Sequence, residues 1–302
     1  MDPRADNLPD SFRLGLIQMA CTSDPADNLA RAEGFVRGVT RDGARIVCLQ
    51  ELFASTYFCQ REDASLFDLA ESTEGALVTR MRNLARELEI VLVVPFFEKR
   101  APGLCHNSAA VIDADGTLLG LYRKMHIPDD PQYHEKFYFT PGDLGFRAFR
   151  TRYGTIGVLI CWDQWFPEAA RLTALEGAEV IFYPTAIGWL PAEKKSEGAA
   201  QLEAWRTVQK SHAVSNGLYV ASINRVGFED SAAGGLEFWG SSFACNPQGE
   251  VLAEASQSEE ASVVVECHRS AIEEFRRGWP FLRDRRVDSY SGITARFGDG
   301  GP

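Results

Sequence analysis

Cys161 stands where a buried strand turns toward a helix. The aliphatic or small residues at 157–160 precede it, and Pro167 opens a helical stretch after it. A side chain at such a junction is lifted out of the sheet edge, and nearby backbone N–H groups can point at a bound oxygen. The position therefore predicts a thiol nucleophile. The pattern also allows a buried structural cysteine, which is the usual fate of this residue type.

Glu51 is the candidate for the base that a thiol nucleophile needs. It follows the predicted strand 45–50, as Cys161 follows its own strand. The carboxyl ends of parallel strands meet at one edge of a sheet, which is where α/β sites form. A glutamate at such an apolar edge can have its pKa raised toward the working pH. A helix N-cap or a solvated strand end is the other interpretation of Glu51.

Lys124 and Glu135 complete the set of candidate catalytic residues. Lys124 follows the predicted strand 117–122, where a fixed positive charge can lower the pKa of a thiol and stabilise an oxyanion. Glu135 is a carboxylate bracketed by aromatic residues. The alternatives are a surface lysine and a charge on a surface loop.

Strands and helices alternate early in the chain, and hairpins are inserted between them. The aliphatic runs are continuous, so the strands are covered on both faces, and their number is high for one sheet. We therefore expect one α/β domain with two sheets over residues 12–286, a flexible N-terminus at 1–11 and a C-terminal tail at 287–302 that crosses to a second subunit. Strands are predicted near 12–18, 45–50, 90–95, 105–112, 117–122, 146–149, 155–160, 179–183, 219–223, 241–246, 250–255 and 261–266. Helices are predicted near 24–41, 62–70, 75–89, 168–176, 201–215 and 268–277.

The composition excludes several classes of partner. With 31 Lys and Arg against 42 Asp and Glu, the net charge of −11 offers no basic face for nucleic acid. No apolar run approaches the ~20 residues of a membrane helix, so no membrane partner is expected. The seven cysteines form no Cys-x-x-Cys pair, which favours reduced thiols in a cytoplasm over disulfides or a zinc site.

Taken together, four segments resemble the nitrilase, or carbon–nitrogen hydrolase, superfamily, and the resemblance runs in register from about residue 12 to 290. The segments are QELF at 50–53, YRKMHIP at 122–128, EKFYFTPGD at 135–143 and IGVLICWDQWFPEAAR at 156–171. The resemblance implies a four-layer α-β-β-α sandwich with two packed mixed sheets. It also implies a homo-oligomer built from dimers, with no metal and no organic cofactor.

The resemblance assigns roles residue by residue. Glu51, Lys124 and Cys161 fall on the family's catalytic triad, and Glu135 falls on its second glutamate. The implied reaction is attack by the Cys161 thiolate on an amide or ureido carbon, with Glu51 as the base. Lys124 and the backbone N–H of Trp162 hold the oxyanion, and Glu135 orients Lys124 or the substrate.

Within the superfamily, the segments at 161–171, 182–188 and 278–286 resemble the branch that hydrolyses N-carbamoylputrescine, a carbamoylated diamine. A carboxylate-bearing substrate needs an arginine near the reacting end, and the loop after Tyr183 offers none before Arg206. An alkylammonium tail instead needs a carboxylate or an aromatic face. The candidate substrate-binding residues are Tyr57, Trp162, Trp189 and Glu193.

Two other functions remain open at this stage. One is a related amidase, such as a β-ureidopropionase or an ω-amidase, that acts on a carboxylate-bearing substrate. The other is a catalytically silent protein of the same fold, which the filled triad positions disfavour. Glu193 and Glu197 can equally be the solvated start of a helix beside Lys194 and Lys195.

Overall fold

Fifteen strands and six α-helices make up the part of the chain that the structure, a computed structural model, describes, which is residues 8–298. In chain order the strands are β1 (Ser11–Gln18), β2 (Ile46–Leu49), β3 (Val91–Ala101), β4 (Leu104–Ile112), β5 (Leu118–Arg123), β6 (Ala148–Arg150), β7 (Thr155–Val158), β8 (Val180–Pro184), β9 (Gly188–Trp189), β10 (Tyr219–Ile223), β11 (Val226–Glu229), β12 (Leu236–Trp239), β13 (Phe243–Cys245), β14 (Val251–Glu254) and β15 (Ala261–His268). The helices are α1 (Pro25–Arg41), α2 (Ala76–Leu88), α3 (Glu135–Tyr138), α4 (Pro167–Leu175), α5 (Pro191–Asn216) and α6 (Arg269–Gly278).

The strands form two six-stranded mixed sheets that are built alike. The first has the spatial order β15-β1-β2-β3-β4-β5, and its parallel pairs are β1–β2 and β2–β3. The second has the order β14-β13-β10-β8-β7-β6, and its parallel pairs are β10–β8 and β7–β8. Antiparallel strands flank the parallel core of each sheet, and β11, β12 and β9 form a separate three-stranded sheet.

The two sheets pack face to face because each strand of their parallel cores buries both of its faces. In the first sheet, Leu16 and Cys48 belong to an apolar cluster shared with the second sheet. Their neighbours Ile17 and Leu49 belong to a separate cluster formed with the buried side chains of α1 and α2. Successive side chains of a strand point to opposite faces, so this alternation puts helices outside the first sheet. Helices α4 and α5 cover the second sheet in the same way.

This architecture confirms the predicted α/β fold with two mixed sheets in an α-β-β-α order. The packed sheets also bring Glu51, which follows β2 of the first sheet, close enough to Cys161, which follows β7 of the second, for the two groups to interact electrostatically. No helix of residues 8–298 combines the length and the apolar character needed to cross a bilayer.

Some predicted elements differ from the structure. The helix predicted at 62–70 is a 3₁₀ segment, Ala64–Leu69, none of whose residues is buried. Helix α5 begins at Pro191 rather than near 201. The sequence does not reveal its first turns, because they are mostly exposed and carry no apolar periodicity. The short strands β9, β11 and β12 were not predicted, since runs of two to four residues give too little alternation to recognise.

The predicted terminal segments fall partly outside the described residues. Of the N-terminal segment 1–11, residues 1–7 lie outside, and β1 begins at Ser11. Of the C-terminal segment 287–302, residues 299–302 lie outside. The described part contains two short 3₁₀ turns, Val287–Ser289 and Ser291–Thr294.

Candidate active site

A buried ammonium lies between two buried carboxylates, where β2 and β5 of the first sheet end and α3 begins. The Lys124 Nζ atom donates to Oε1 of Glu51 at 2.9 Å and to Oε2 of Glu135 at 2.6 Å. All three side chains have no exposed surface. An isolated charge in such a place costs several kcal/mol, so the three groups stabilise one another as ions only while they stay in contact.

Glu51 has one carboxylate oxygen engaged and one free of partners. Its Oε1 atom accepts from Lys124 and also from Nδ2 of Asn107, at 2.7 Å. Its Oε2 atom is buried and makes no hydrogen bond within the described structure. A carboxylate held by one oxygen, with the other unpaired, is suited to take a proton from a neighbouring donor.

Glu135 is held from the side opposite Lys124 by a tyrosine. The Tyr57 Oη atom donates to Oε1 of Glu135 at 2.7 Å, and Tyr57 is 1% exposed. Glu135 is the first residue of the short helix α3, and its Oε2 atom accepts from Lys124. Both of its oxygens are therefore bonded, which suits an orienting role better than that of a base.

Cys161 occupies a strained position at the start of a 3₁₀ turn, Cys161–Trp165, that follows β7. Its φ angle of 44° is in the left-handed region, which a side chain with a Cβ adopts at a cost of roughly 1–3 kcal/mol. Asp163 holds the turn in place: its Oδ2 atom accepts from the backbone N–H of Ile160 at 2.9 Å and from Oη of Tyr122 at 2.7 Å. The other oxygen of Asp163 accepts from the backbone N–H of His126 at 3.0 Å.

The electrostatics of the cluster keep the resting thiol protonated. Burial raises the pKa of Cys161 well above its ordinary value, and Glu51 adds to this shift, while Lys124 opposes it. Lys124 lowers the thiol pKa, as the sequence predicts, but burial and the two carboxylates outweigh this effect. The thiol must lose its proton to a base as it attacks.

The charges of Lys124 and Glu135 depend on each other. Burial lowers the pKa of Lys124, but Glu135 and Glu51 more than compensate and raise it well above its ordinary value. Burial raises the pKa of Glu135 to about 7, against the opposing effect of Lys124. The lysine is thus a permanent cation, as an oxyanion site requires.

A cavity of about 430 Å³ opens onto Cys161. Its walls are mainly aromatic and aliphatic, with two carboxylates, and no Lys, Arg or His is among the described residues that line it. The lining residues are Pro128, Asp130, Pro131, Tyr133, Cys161, Trp162, Trp165, Ile187, Gly188, Leu190, Glu193, Gln201, Ala204 and Trp239.

The four predicted substrate contacts fall into two groups. Trp162 and Glu193 line the cavity, and Glu193 Oε2 accepts from the Gln201 side chain at 3.3 Å. Tyr57 lies instead behind the wall, its ring 5.6 Å from that of Tyr133. Trp189 is 5% exposed and packs against Trp239, and its indole nitrogen donates to a backbone carbonyl. The structure therefore gives Tyr57 and Trp189 supporting positions rather than contact with the cavity.

Several residues of the site were not identified from the sequence. Asn107 is a polar residue inside the buried run of β4, which is the one signal that could have revealed it. Asp130 lines the cavity from a tight turn, and nothing in its sequence distinguishes it from the adjacent Asp129. Asp163 lies in the segment 156–171 that resembles the family, but only the fold shows that its carboxylate anchors the turn.

No group of three or more His, Cys, Asp and Glu side chains within residues 8–298 is arranged to hold a metal ion. A thiol, an unpaired carboxylate oxygen and a fixed ammonium are the groups needed for nucleophilic attack on a carbonyl carbon and for hydrolysis of the acyl-enzyme.

Comparison with known proteins agrees with this chemistry. The chain is 49% identical over 279 residues to an N-carbamoylputrescine amidase of Solanum tuberosum, covering 91% of this chain and 92% of that protein. It is 38% identical over 288 residues to a citrullinase of Francisella tularensis, covering 95% and 99%. A crystal structure of a carbon–nitrogen hydrolase from Helicobacter pylori superposes with a TM-score of 0.91 at 44% identity, over 95% of this chain and 100% of that one.

The family assignment rests on the whole chain rather than on the site alone. The sequence model of the carbon–nitrogen hydrolase family matches residues 13–277, which include every residue of the buried cluster and of the cavity. The chain therefore belongs to the carbon–nitrogen hydrolase family.

Proposed function

We propose that the protein hydrolyses N-carbamoylputrescine to putrescine, carbon dioxide and ammonia. The observation that carries this proposal is the cavity at Cys161, which has carboxylates at Asp130 and Glu193, aromatic walls and no basic side chain among its described lining residues. An alkylammonium tail is attracted by carboxylates and by aromatic faces. The 44–49% identity to four plant N-carbamoylputrescine amidases supports the same substrate.

The proposed reaction proceeds in two stages at the buried cluster. Cys161 Sγ attacks the ureido carbon while Oε2 of Glu51 takes the thiol proton, and Lys124 with the backbone N–H of Trp162 holds the oxyanion. Each such oxyanion donor contributes roughly 3 kcal/mol. Glu51 then returns the proton to the departing nitrogen as its C–N bond breaks. Water, deprotonated by Glu51, hydrolyses the thioester, and the remaining carbamate loses carbon dioxide.

Carboxylate-bearing substrates fit this cavity less well. A β-ureidopropionase or an ω-amidase substrate brings a negative charge to within a few atoms of the reacting carbon. The described cavity wall offers no guanidinium or ammonium to pair with it, whereas Asp130 and Glu193 would repel it. The comparison of N-carbamoylputrescine with N-carbamoyl-β-alanine, by ammonia release, separates the two functions directly.

Glu193 is the residue whose replacement tests the cationic substrate. We expect Glu193→Gln to raise KM for N-carbamoylputrescine about tenfold with little change in kcat, because a partly buried carboxylate–ammonium contact is worth about 1.4 kcal/mol and is distant from the reacting carbon. Steady-state ammonia release measures both constants.

Glu197→Gln is the matched control, since Glu197 is exposed on the same helix. Its KM should stay at the wild-type value. An unchanged KM in Glu193→Gln, or faster hydrolysis of N-carbamoyl-β-alanine than of N-carbamoylputrescine by the wild type, contradicts the proposed function.

We also propose a homo-oligomer built from dimers, in which the C-terminal segment contacts a second copy of the chain. Large apolar side chains stand exposed after α6: Trp279 at 61% precedes this segment, and Val287 at 67%, Ile293 at 63% and Phe297 at 80% lie within it. Exposed apolar groups at this density are typical of surfaces covered by a partner.

Deletion of residues 287–302 tests the role of the tail. We expect the truncated protein to elute as a smaller species in size-exclusion chromatography with light scattering, because the apolar side chains that join the copies are removed. A shortened chain with the assembly and activity of the full chain contradicts an inter-subunit tail.

A cytoplasmic location is proposed as well. All seven cysteines are free, including the six that are buried or partly buried away from the reacting thiol, which supports a reducing compartment. The partner we propose is the small-molecule substrate, not nucleic acid or a membrane.

A further inference from the structure

The turn that carries Glu51 depends on contacts from outside its own strand. After β2 the chain turns through residues 51–55, and Leu52 has a φ of 50°, in the left-handed region that a residue with a Cβ rarely adopts. A turn of this kind persists only where its surroundings determine it. Gln50 fixes the entry to the turn through two hydrogen bonds with the backbone of Met19, at 2.7 and 2.8 Å.

Arg225 holds the rest of the turn. It follows β10 and has no exposed surface, yet its guanidinium reaches three backbone carbonyls of the turn. Its Nη2 atom donates to the carbonyls of Glu51 at 3.1 Å and Leu52 at 2.9 Å, and its Nη1 atom donates to that of Ser55 at 2.9 Å. A fork of donors can bind several acceptors at fixed angles, which a lysine cannot do.

Glu229 extends the same support to the second catalytic carboxylate. Its Oε1 atom accepts from Nη1 of Arg225 at 2.6 Å, and its Oε2 atom accepts from the backbone N–H of Tyr57 at 2.5 Å. Tyr57 in turn donates to Glu135 at 2.7 Å. One buried ion pair therefore reaches Glu51 through the main chain and Glu135 through a tyrosine hydroxyl.

We propose that Arg225 and Glu229 are positioning residues, which hold Glu51 and Glu135 in the arrangement that leaves Oε2 of Glu51 free to exchange protons with Cys161. Neither residue is among those that line the cavity. Their effect is on the placement of the base and not on substrate binding. A buried ion pair is weak evidence for stability in itself, so its value here is the geometry that it imposes.

Arg225→Lys is the principal test. The lysine keeps the charge but can serve only part of the four acceptors, so the turn shifts. A misplacement of about 1 Å at a reacting group costs roughly 10²-fold in rate. We expect kcat for ammonia release to fall by about 10²-fold, while KM stays within about threefold of the wild type. The loss of kcat should grow as hydrogen-bond donors are removed, so Arg225→Met should have a lower kcat than Arg225→Lys.

Arg269→Lys is the matched control. Arg269 also binds a carboxylate, Glu179, at 2.6 Å, and the backbone carbonyls of Tyr153 at 2.6 Å and Pro9, but it does so beside α6 and away from the buried cluster. The Arg269→Lys protein should lose some thermal stability and keep the kcat of the wild type. If Arg225→Lys keeps kcat within threefold, or loses no more than Arg269→Lys does, the proposal is overturned.

Iodoacetamide labelling gives a readout that does not need the substrate. The proposal rests on the proposed function only for the choice of substrate, and labelling keeps the two failures distinct. In a folded Arg225→Lys protein, mass spectrometry should find Cys161 alkylated while the buried Cys48, Cys245 and Cys267 stay protected. Because Glu51 raises the thiol pKa, its displacement should move the midpoint of Cys161 alkylation to lower pH. An unmoved midpoint contradicts displacement of the base.

If iodoacetamide alkylates the buried cysteines of the Arg225→Lys protein, that variant is misfolded, and Glu229→Gln becomes the deciding test. The glutamine amide has nearly the volume of the Glu229 carboxylate but lacks the negative charge that pairs with Arg225. We expect kcat to fall at least tenfold with KM unchanged, and Tyr57→Phe, which removes only the bond to Glu135, to cost less. Wild-type kcat in a folded Glu229→Gln protein overturns the proposal.

Discussion

Cys161→Ser should retain the fold and lose turnover by at least about 10³-fold. Serine has nearly the size of cysteine, so the 3₁₀ turn and its Asp163 anchor remain, but an alkoxide is far harder to form than a thiolate. Glu51, the proposed base, must then take a proton from an alcohol, which holds its proton far more tightly than a thiol does. Ammonia release measures turnover, and circular dichroism with thermal unfolding measures the fold.

Cys267→Ser is the control for the general effect of replacing a buried cysteine with serine. Cys267 lies in β15 and has no exposed surface, so its replacement places a hydroxyl in the core at a cost of about 1–3 kcal/mol. It should lower the midpoint of unfolding and leave the rate nearly unchanged. Turnover near the wild-type rate in Cys161→Ser would show that the nucleophile is another group.

The surroundings of Cys161 favour the protonated form of its thiol. Burial, Glu51 and Glu135 all favour the protonated thiol, and only Lys124 favours the thiolate. In the proposed mechanism, the proton passes to Glu51 as the substrate carbon is attacked, and the negative charge moves from sulfur to the substrate oxygen, where Lys124 can stabilise it. In that mechanism the ammonium acts in the transition state and not in the ground state, which is the condition for raising kcat.

The sequence predicted the chemistry of the cluster through strand ends. Glu51 and Cys161 each follow an aliphatic run, which predicts that both lie at strand ends. Their strands, β2 and β7, belong to different sheets, so the packing of the two sheets brings the residues together rather than one parallel edge. The α/β domain with two sheets followed from the continuous runs and the number of strands, whereas the α-β-β-α order of the layers came only from the resemblance to the family. Glu135 could be placed in the cluster only by resemblance, because α3 has four residues and its flanks carry no periodic pattern.

Other parts of the site could not be predicted from local patterns. Arg225 looks from sequence like an arginine between two strands, and its fully buried position depends on the turn at 51–55 being packed against it from 170 residues away in the chain. Tyr57 and Trp189 were assigned to the substrate because of their ring type. Their positions behind the wall depend on how Tyr133 and Trp239 pack in front of them.

Glu51→Gln should separate alkylation of Cys161 from turnover. Loss of a general acid–base group costs about 10²–10⁴-fold, so we expect a fall of that size in kcat, since no group then takes the thiol proton, protonates the departing nitrogen or activates water. The thiol pKa should fall as well, so that Cys161 is alkylated at lower pH although turnover is lost. Glu51 raises that pKa and Lys124 lowers it, so a neutral side chain at 51 lets the pKa fall.

The pH dependence of iodoacetamide labelling checks the sign of this shift. The midpoint for Cys161 should lie at lower pH in Glu51→Gln than in the wild type, although the variant is nearly inactive. Glu179→Gln, which alters a carboxylate paired with Arg269, is the control and should leave the midpoint unmoved. A midpoint that rises, or turnover within tenfold of the wild type, would mean that Glu51 neither faces the thiol nor carries its proton. The mechanism would then need another base, and no other buried carboxylate of the cluster has an unpaired oxygen, because Glu135 is bonded through both of its own.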